Sequence, residues 1–153
     1  MIKKNIIIVC FANYCRSPVA EKLLQSILPK DQFSVSSAGV IDFEKNEMDK
    51  RSAKFLMSKR INNTAHLCKA LTDFSVKKSD LILAMDIKVL DILLKRYPKY
   101  IAKFKLFSRF TPTEIINDPH KYTSEKDYFL EMNKVADCAD RWHIKLQKNI
   151  KKK

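Results

Sequence analysis

The chain has 153 residues, 46% hydrophobic and 31% charged, which suits one hydrophobic core and excludes a disordered chain. Its 30 Lys and Arg residues against 17 Asp and Glu give a net charge of +13, which favours an anionic substrate without identifying one. No apolar run approaches the ~18 residues of a membrane span, and no signal-peptide cleavage site follows the first apolar run. We expect a cytoplasmic monomer that does not insert into membranes.

The cysteines and histidines show no metal-binding pattern. The chain has no Cys-x-x-Cys pair, and its three histidines are scattered along the sequence. A disulfide framework is the alternative for a secreted protein, but a chain of this length does not need one. We therefore predict free thiols, no metal and no cofactor; the cysteines are Cys10, Cys15, Cys68 and Cys138.

The first third of the chain alternates strand and helix patterns. Residues 5–9 form a continuous β-branched run, which predicts a strand that is buried on both faces. Residues 17–28 have helical apolar spacing, with one proline near the start and another just past the end. Residues 33–37 alternate as a second strand that stops near Gly39, the only glycine. We expect position 39 to need a backbone conformation that other residues resist.

The alternation continues to the end of the chain. We predict a helix over residues 48–59 with Ala53, Leu56 and Met57 facing the core, and a third strand over 80–85. Asp86 is placed to cap the next helix, residues 103–107 predict a fourth strand, and a last helix covers 126–147. A loop around Pro112 and Pro119 precedes that last helix.

Strands that alternate with helices predict an α/β fold with a parallel sheet and helices on both of its faces. No repeat, linker or composition shift divides the chain, so we predict a single domain over residues 1–153. Open sheets of this kind bind ligands at the carboxyl ends of their strands. The segment after Val9 is therefore the first place to look for a site.

That segment, residues 9–18, reads VCFANYCRSP. A tight loop between a strand and a helix turns backbone N–H groups toward an anion, and the helix N-terminus adds positive potential. Arg16 is placed to grip two oxygens of a phosphate in a bidentate fork. The same potential favours a thiolate, which makes Cys10 the predicted nucleophile, with the Ser17 hydroxyl beside its sulfur. The alternative, a structural cysteine and a surface arginine, does not account for the strand and helix on either side.

Asp118 is the predicted general acid. A cysteine that displaces an alkoxide or phenoxide needs an acid to protonate the departing oxygen. The Asp-Pro pair at residues 118–119 follows the last predicted strand and therefore lies at the edge of the sheet where ligands bind. Pro119 restricts the backbone next to the carboxylate.

With these motifs in place, the chain resembles the low-molecular-weight protein tyrosine phosphatases along nearly its whole length. The resemblance lies in the loop VCFANYCRSPVAE at 9–21, SSAG at 36–39, DKRSA at 49–53, TAH at 64–66, SDLILAMD at 79–86 and DP at 118–119. It implies a three-layer sandwich whose four-stranded parallel sheet has the order 2-1-3-4. It also implies an enzyme that acts on a tyrosine-phosphorylated protein.

The resemblance further implies roles for individual residues. Cys10 forms a phosphocysteine intermediate, Arg16 holds the phosphoryl group, and Asp118 acts as acid and then as base for water. Cys15 resembles a second loop cysteine that can form a reversible disulfide with Cys10. Asn13, Ser17, Ser37 and His66 resemble the hydrogen-bond network that holds the loop in shape. The residues implied in substrate binding are Phe11, Ala12, Asn13, Tyr14, Cys15 and Ser17 of the loop, with Phe43 as an aromatic wall.

Three departures from the family pattern bear on function. Ala12 stands where glycine is usual, so activity is expected to fall if that position needs a positive φ. Tyr14 replaces a smaller residue, which argues against the phosphoarginine-specific branch, where threonine is found. His120 and Lys121 after the Asp-Pro pair, together with Trp142, resemble a bacterial branch that dephosphorylates tyrosine kinases of polysaccharide export.

Two other functions compete with this interpretation. An arsenate reductase on a related loop needs a further relay pair of cysteines, whereas Cys68 stands alone and Cys138 lies far along the chain. A binding module that holds phosphotyrosine without turnover is the second alternative, if Ala12 has impaired the loop. A nucleic-acid role rests on net charge alone, and no binding motif supports it, so we expect no nucleic-acid partner.

Overall fold

The computed structural model describes residues 2–43, 46–62, 65–111 and 115–151. Thr64 of the TAH motif and Pro112 of the predicted loop lie outside these residues. Among the helices in the described ranges, none combines the length and the apolar character that a bilayer span requires.

Four parallel strands form one sheet in the order β2-β1-β3-β4, as predicted. The strands are β1 (Lys4–Cys10), β2 (Phe33–Gly39), β3 (Leu81–Ala84) and β4 (Phe104–Leu106). The helices are α1 (Arg16–Ile27), α2 (Lys50–Ser58), α3 (Asp73–Lys78), α4 (Ile87–Arg96) and α5 (Glu125–Lys151), with a 3-10 helix at Pro98–Lys103.

Alternating side chains of β1 divide the core into two halves. Ile6 and Ile8 are buried in a cluster with residues of α1, α2 and α5. Ile7 and Val9 are buried in the other cluster, with residues of α3 and α4. Successive side chains of a strand point to opposite faces of its sheet, so helices cover both faces and the predicted three-layer sandwich is confirmed.

The structure corrects one prediction about α2. Met57 is 69% exposed, although it was expected to face the core, whereas Ser52, Phe55 and Leu56 are buried. These three positions follow the i, i+3, i+4 spacing of one helix face, and Met57 lies about 100° further round the helix. A serine takes an inward position because its hydroxyl donates to the carbonyl oxygen of Cys15 at 2.8 Å.

Candidate active site

The loop at residues 11–15 connects β1 to α1 at the carboxyl edge of the sheet, and we call it the cradle. No backbone N–H group of the cradle donates to another residue in the described part of the chain. These N–H groups are therefore available to an oxyanion at the N-terminus of α1. Neighbouring segments donate hydrogen bonds to the carbonyl oxygens of the cradle and of Cys10 just before it. The donors are Val40 N–H at Cys10, Ile41 N–H at Phe11, Asp49 N–H at Tyr14 and the Ser52 hydroxyl at Cys15.

Asn13 is the cradle residue with a left-handed backbone, at φ 58°. Asparagine tolerates this conformation better than most residues do. Ala12 is not among the described residues with positive φ. The strain that was considered for alanine at position 12 therefore does not arise, because the positive φ falls one residue later.

Gly39 serves the cradle by leaving space rather than by adopting an unusual backbone conformation. Its φ is not positive, contrary to expectation. A Cβ at this position would lie 2.8 Å from the carbonyl carbon of Ala12 and 2.9 Å from the nitrogen of Asn13. The end of β2 thus packs directly against the cradle backbone. Any side chain at position 39 would push the cradle backbone out of place.

A chain of hydrogen bonds runs beneath the cradle to the predicted nucleophile. The side-chain amide nitrogen of Asn13, Nδ2, donates to Oγ of Ser17 and to Oγ of Ser37, each at 2.9 Å. Because Ser17 Oγ accepts this bond, its own hydrogen is free to point at Cys10 Sγ, 2.9 Å away. Ser37 in turn donates to a carboxylate oxygen of Glu21 at 3.1 Å.

Buried polar groups behind the cradle complete its support. His66 Nε2 and Cys68 Sγ both contact the Asn13 carbonyl oxygen at 3.0 Å. Burial alone would raise the pKa of Glu21, but the neighbouring His66 and Lys22 hold it below its ordinary value, so Glu21 stays ionised. Sequence reasoning missed Glu21; the available signal was an acidic residue next to the buried apolar stripe of α1.

Arg16 is 2% exposed and stays charged. Burial would lower its pKa, but the negative charge at Cys10 and the pairing with Asp86 raise it. Its Nη1 lies 2.8 Å from Asp86 Oδ2 and donates to the Ile116 carbonyl oxygen at 3.2 Å. Asp86 was predicted only as a helix cap; it accepts from the Val89 N–H at 2.8 Å and also orients Arg16.

Asp118 lies near the second terminal nitrogen of Arg16, the one that Asp86 does not contact. Its Oδ2 lies 3.9 Å from Arg16 Nη2, and its Oδ1 accepts from the His120 N–H at 3.1 Å. The Asp118 side chain is 46% exposed. A carboxylate so placed reaches a ligand that Arg16 holds.

One cavity of about 170 Å³ joins these groups. The Tyr14 ring lies edge-on to Phe43 at 5.2 Å and to His120 at 5.9 Å, which gives the cavity aromatic walls. The side chains of Asn13, Ser17, Ser37 and His66 lie behind the cradle and do not line the cavity. The lining residues are Cys10, Phe11, Ala12, Tyr14, Cys15, Arg16, Ile41, Phe43, Asp118 and His120, of which sequence reasoning had not proposed Ile41 and His120.

One cluster of potential metal ligands lies beside the cavity, but its chemistry does not fit a metal ion. Ligand atoms of Cys15, Asp49 and His120 lie within 4.8 Å of one another. Burial raises the pKa of Cys15 to about 12, which keeps the thiol protonated at neutral pH. Asp49 already pairs with Arg51 at 2.8 Å, and that cation would repel a metal.

A thiol at the base of an oxyanion cradle, with an arginine and a carboxylate above it on a parallel α/β sheet, defines the class of cysteine-dependent phosphatases. Comparison with known proteins gives the particular family. The chain belongs to the low molecular weight phosphotyrosine protein phosphatase family, which it matches over residues 5–153.

Individual relatives are similar over nearly their full length. The probable low molecular weight protein-tyrosine-phosphatase AmsI of Erwinia amylovora is 30% identical over 139 residues, which cover 90% of this chain and 94% of that protein. The YwlE arginine phosphatase from Geobacillus stearothermophilus superposes with a TM-score of 0.86 at 30% identity, over 95% of this chain and 94% of that one. The tyrosine phosphatase Wzb from Escherichia coli K30, solved with sulphate, superposes with a TM-score of 0.86 at 25% identity. The match covers 95% of this chain and 99% of that one.

Proposed function

We propose that this protein hydrolyses phosphotyrosine in proteins, with Cys10 as nucleophile, Arg16 as phosphoryl-binding residue and Asp118 as general acid and base. The observation that carries the proposal is that all three side chains line one cavity with aromatic walls. The family to which the chain belongs supports the same reaction.

In the first step, the phosphoryl group enters the cradle and the Cys10 thiolate attacks phosphorus. The cradle N–H groups and the Arg16 guanidinium bind the nonbridging oxygens, where charge is concentrated in the transition state. The S–P bond forms as the bond from phosphorus to the tyrosine oxygen breaks. Asp118, in its protonated form, gives its proton to that oxygen, so tyrosine leaves as the neutral phenol.

In the second step, water attacks the phosphocysteine. Asp118, now a carboxylate, takes a proton from the water as the new P–O bond forms and the S–P bond breaks. Ser17 donates to the sulfur at 2.9 Å, which stabilises the thiolate that leaves. Inorganic phosphate is released and both Cys10 and Asp118 return to their starting states.

The cavity walls favour an aryl phosphate over a phosphoarginine. Tyr14 extends the rim and contacts both Phe43 and His120, so a flat ring whose phosphoryl group lies in the cradle would meet aromatic edges. The overall fold does not separate the two substrates, since the Wzb tyrosine phosphatase and the YwlE arginine phosphatase superpose on this chain with equal TM-scores. The choice of substrate therefore depends on the rim.

We expect the wild-type protein to hydrolyse phosphotyrosine peptides at least about 100-fold faster, as kcat/KM, than phosphoarginine peptides of the same sequence. Phosphate release from the paired peptides measures the ratio. Tyr14→Thr should narrow this ratio, whereas Tyr100→Thr, on the 3-10 helix and away from the cavity, should leave it unchanged. A wild-type protein that prefers phosphoarginine would contradict the proposed substrate.

The structure favours neither alternative function. Cys68 lies beneath the cradle, whereas Cys138 is buried in α5 with its Sγ 3.2 Å from Thr111 Oγ1, so the two do not form a relay pair for arsenate reduction. The reason for suspecting an inactive binding module was strain at Ala12, whose φ is not positive.

We further propose that the substrate protein is a bacterial tyrosine kinase of polysaccharide export and that the enzyme acts in the cytoplasm. The kinase assignment rests on the resemblance of His120, Lys121 and Trp142 to that bacterial branch and on the bacterial relatives that the chain matches. Trp142 is buried and donates to the Phe107 carbonyl oxygen at 2.7 Å, so its ring packs inside the protein and does not contact a substrate protein. None of the four cysteines, all in described ranges, forms a disulfide, and the mechanism needs a reduced Cys10; both fit a reducing compartment.

Deletion of the gene is expected to raise the phosphotyrosine content of that kinase severalfold, because removal of phosphate stops while autophosphorylation continues. Immunoblotting of the kinase with an anti-phosphotyrosine antibody measures the change. Wild-type protein should reverse it and a Cys10→Ser variant should not. An unchanged phosphotyrosine content after deletion would exclude the kinase as substrate.

A further inference from the structure

The loop that carries Asp118 is held from two sides by charged residues outside the cavity. We define the acid loop as residues 117–122, from Asn117 to Tyr122. We propose that Arg51 of α2 and Glu131 of α5 are positioning residues that fix this loop, so that the Asp118 carboxyl group meets the oxygen that leaves phosphorus. The inference rests on the proposed function, in which Asp118 is the general acid.

Arg51 holds the acid loop by its carbonyl oxygens. Its Nη2 donates to the carbonyl of His120 at 3.1 Å, and its Nη1 donates to the carbonyl of Tyr122. The guanidinium also lies over the Tyr128 ring, 4.1 Å from its centre. Two donors in a rigid planar group thus bind two carbonyls on the C-terminal side of Asp118, a geometry that lysine cannot reproduce.

Asp49 ties this contact to the cradle. Its carboxylate accepts from Arg51 Nε at 3.0 Å and from Nη2 at 2.8 Å, while its own N–H donates to the Tyr14 carbonyl at 3.0 Å. Burial would raise the pKa of Asp49, but hydrogen bonds and charge from Arg51 lower it, so the pair stays ionised. The cradle is thereby joined to the acid loop through two residues, since Asp49 binds the cradle and Arg51 while Arg51 binds the acid loop. This connection sets the distance between the nucleophile and the acid.

Glu131 holds the other side of the loop. It is 5% exposed, and its Oε2 accepts from the Asn117 N–H at 3.0 Å. Its Oε1 accepts from the Tyr122 hydroxyl at 3.3 Å and from Lys134 Nζ at 3.1 Å. One buried carboxylate therefore binds both ends of the acid loop and fixes the residue that immediately precedes Asp118.

Arg51 and Glu131 act on the reaction through the position of Asp118. Neither Arg51 nor Glu131 lines the cavity. Arg51 donates to backbone carbonyl oxygens of the acid loop, whereas Glu131 accepts from a backbone N–H of the loop, so together they bind both types of backbone group around Asp118. Misplacement of a reacting group by about 1 Å is enough to cost about 100-fold in rate.

The test measures kcat/KM for phenyl phosphate, a poor leaving group, and for p-nitrophenyl phosphate, a good one. Arg51→Lys and Glu131→Gln are each expected to lower kcat/KM about tenfold for phenyl phosphate and less than about twofold for p-nitrophenyl phosphate, because only the poor leaving group needs the acid. Inhibition by vanadate should not change, since the cradle is intact. In an Asp118→Ala background neither substitution should add a selective loss.

Lys54→Ala is the matched control. Lys54 also joins α2 to α5, through a 2.8 Å pair with Glu125, but it does not touch the acid loop. It should leave the ratio of the two substrates at the wild-type value.

Equal losses for both substrates, or a selective loss that persists without Asp118, would overturn the positioning role while leaving the phosphatase intact. A wild-type protein that hydrolyses neither compound would instead refute the proposed function. Arg51 and Glu131 lie on different helices. If one variant unfolds below the assay temperature, the substrate ratio of the other variant tests the positioning role.

Discussion

Replacement of Cys10 by serine is expected to lower kcat for aryl phosphates by more than about 10⁴-fold, with little change in oxyanion affinity. A hydroxyl is a far weaker nucleophile than a thiolate in this cradle. The groups that bind the oxyanion remain, because Arg16 keeps its contacts to Asp86 and Ile116. Steady-state kinetics measure the first effect, and calorimetric titration with phosphate or vanadate measures the second.

Cys138→Ser is the matched control, since it makes the same change at a buried thiol in α5. It should keep wild-type kcat, apart from a modest loss of stability. Substantial turnover by Cys10→Ser would remove Cys10 from its role. If Cys10→Ser loses both turnover and oxyanion binding, the result would instead point to a collapsed cradle.

Replacement of Asp118 by alanine is expected to lower kcat/KM for phenyl phosphate by about 10²- to 10⁴-fold and that for p-nitrophenyl phosphate far less. The acid matters only where the departing oxygen needs a proton. A plot of log kcat/KM against leaving-group pKa should therefore be nearly flat for the wild type and steep for the variant. The Asp118 side chain is about half exposed, so its removal should not disturb the core.

Asp118→Asn separates proton donation from shape, because the amide keeps the size of the side chain and an acceptor for the His120 N–H. It should behave like alanine in the leaving-group plot. Asp137→Asn, at an exposed position on α5, should behave like wild type. Equal losses across leaving groups would argue against a general acid at position 118.

The parts of the fold and site that could be predicted from the sequence are those set by local pattern. The β-branched run of β1 and the position of Cys10 at its end required only neighbouring residues. The five-residue gap from Cys10 to Arg16 likewise needed nothing beyond the loop and the start of α1. The short helix α3 was missed because only Val76 of it is buried, which gives no periodicity to detect.

Residues that act through distant partners escaped prediction. Asp86 is a normal helix cap by sequence, and its bond to Arg16 spans 70 positions of the chain. The role of Glu21 in supporting the cradle depends on the fold, because β2 brings Ser37 against α1, where its hydroxyl donates to Glu21. From the sequence, Arg51 is recognisable only as part of a family motif. Its contacts with the acid loop depend on the packing of α2 near α5. Buried polar networks depend on tertiary contacts, which a single sequence does not display.

The covalent intermediate is the most direct test of the central claim. Wild-type protein mixed with phosphotyrosine peptide, quenched within milliseconds and digested should yield a peptide with one phosphoryl group on Cys10. With p-nitrophenyl phosphate as substrate, whose leaving group does not need the acid, Asp118→Ala should accumulate more of this phosphocysteine than the wild type, since hydrolysis of the intermediate also uses that carboxylate. Turnover without any phosphocysteine, or with the phosphoryl group on another residue, would contradict the mechanism.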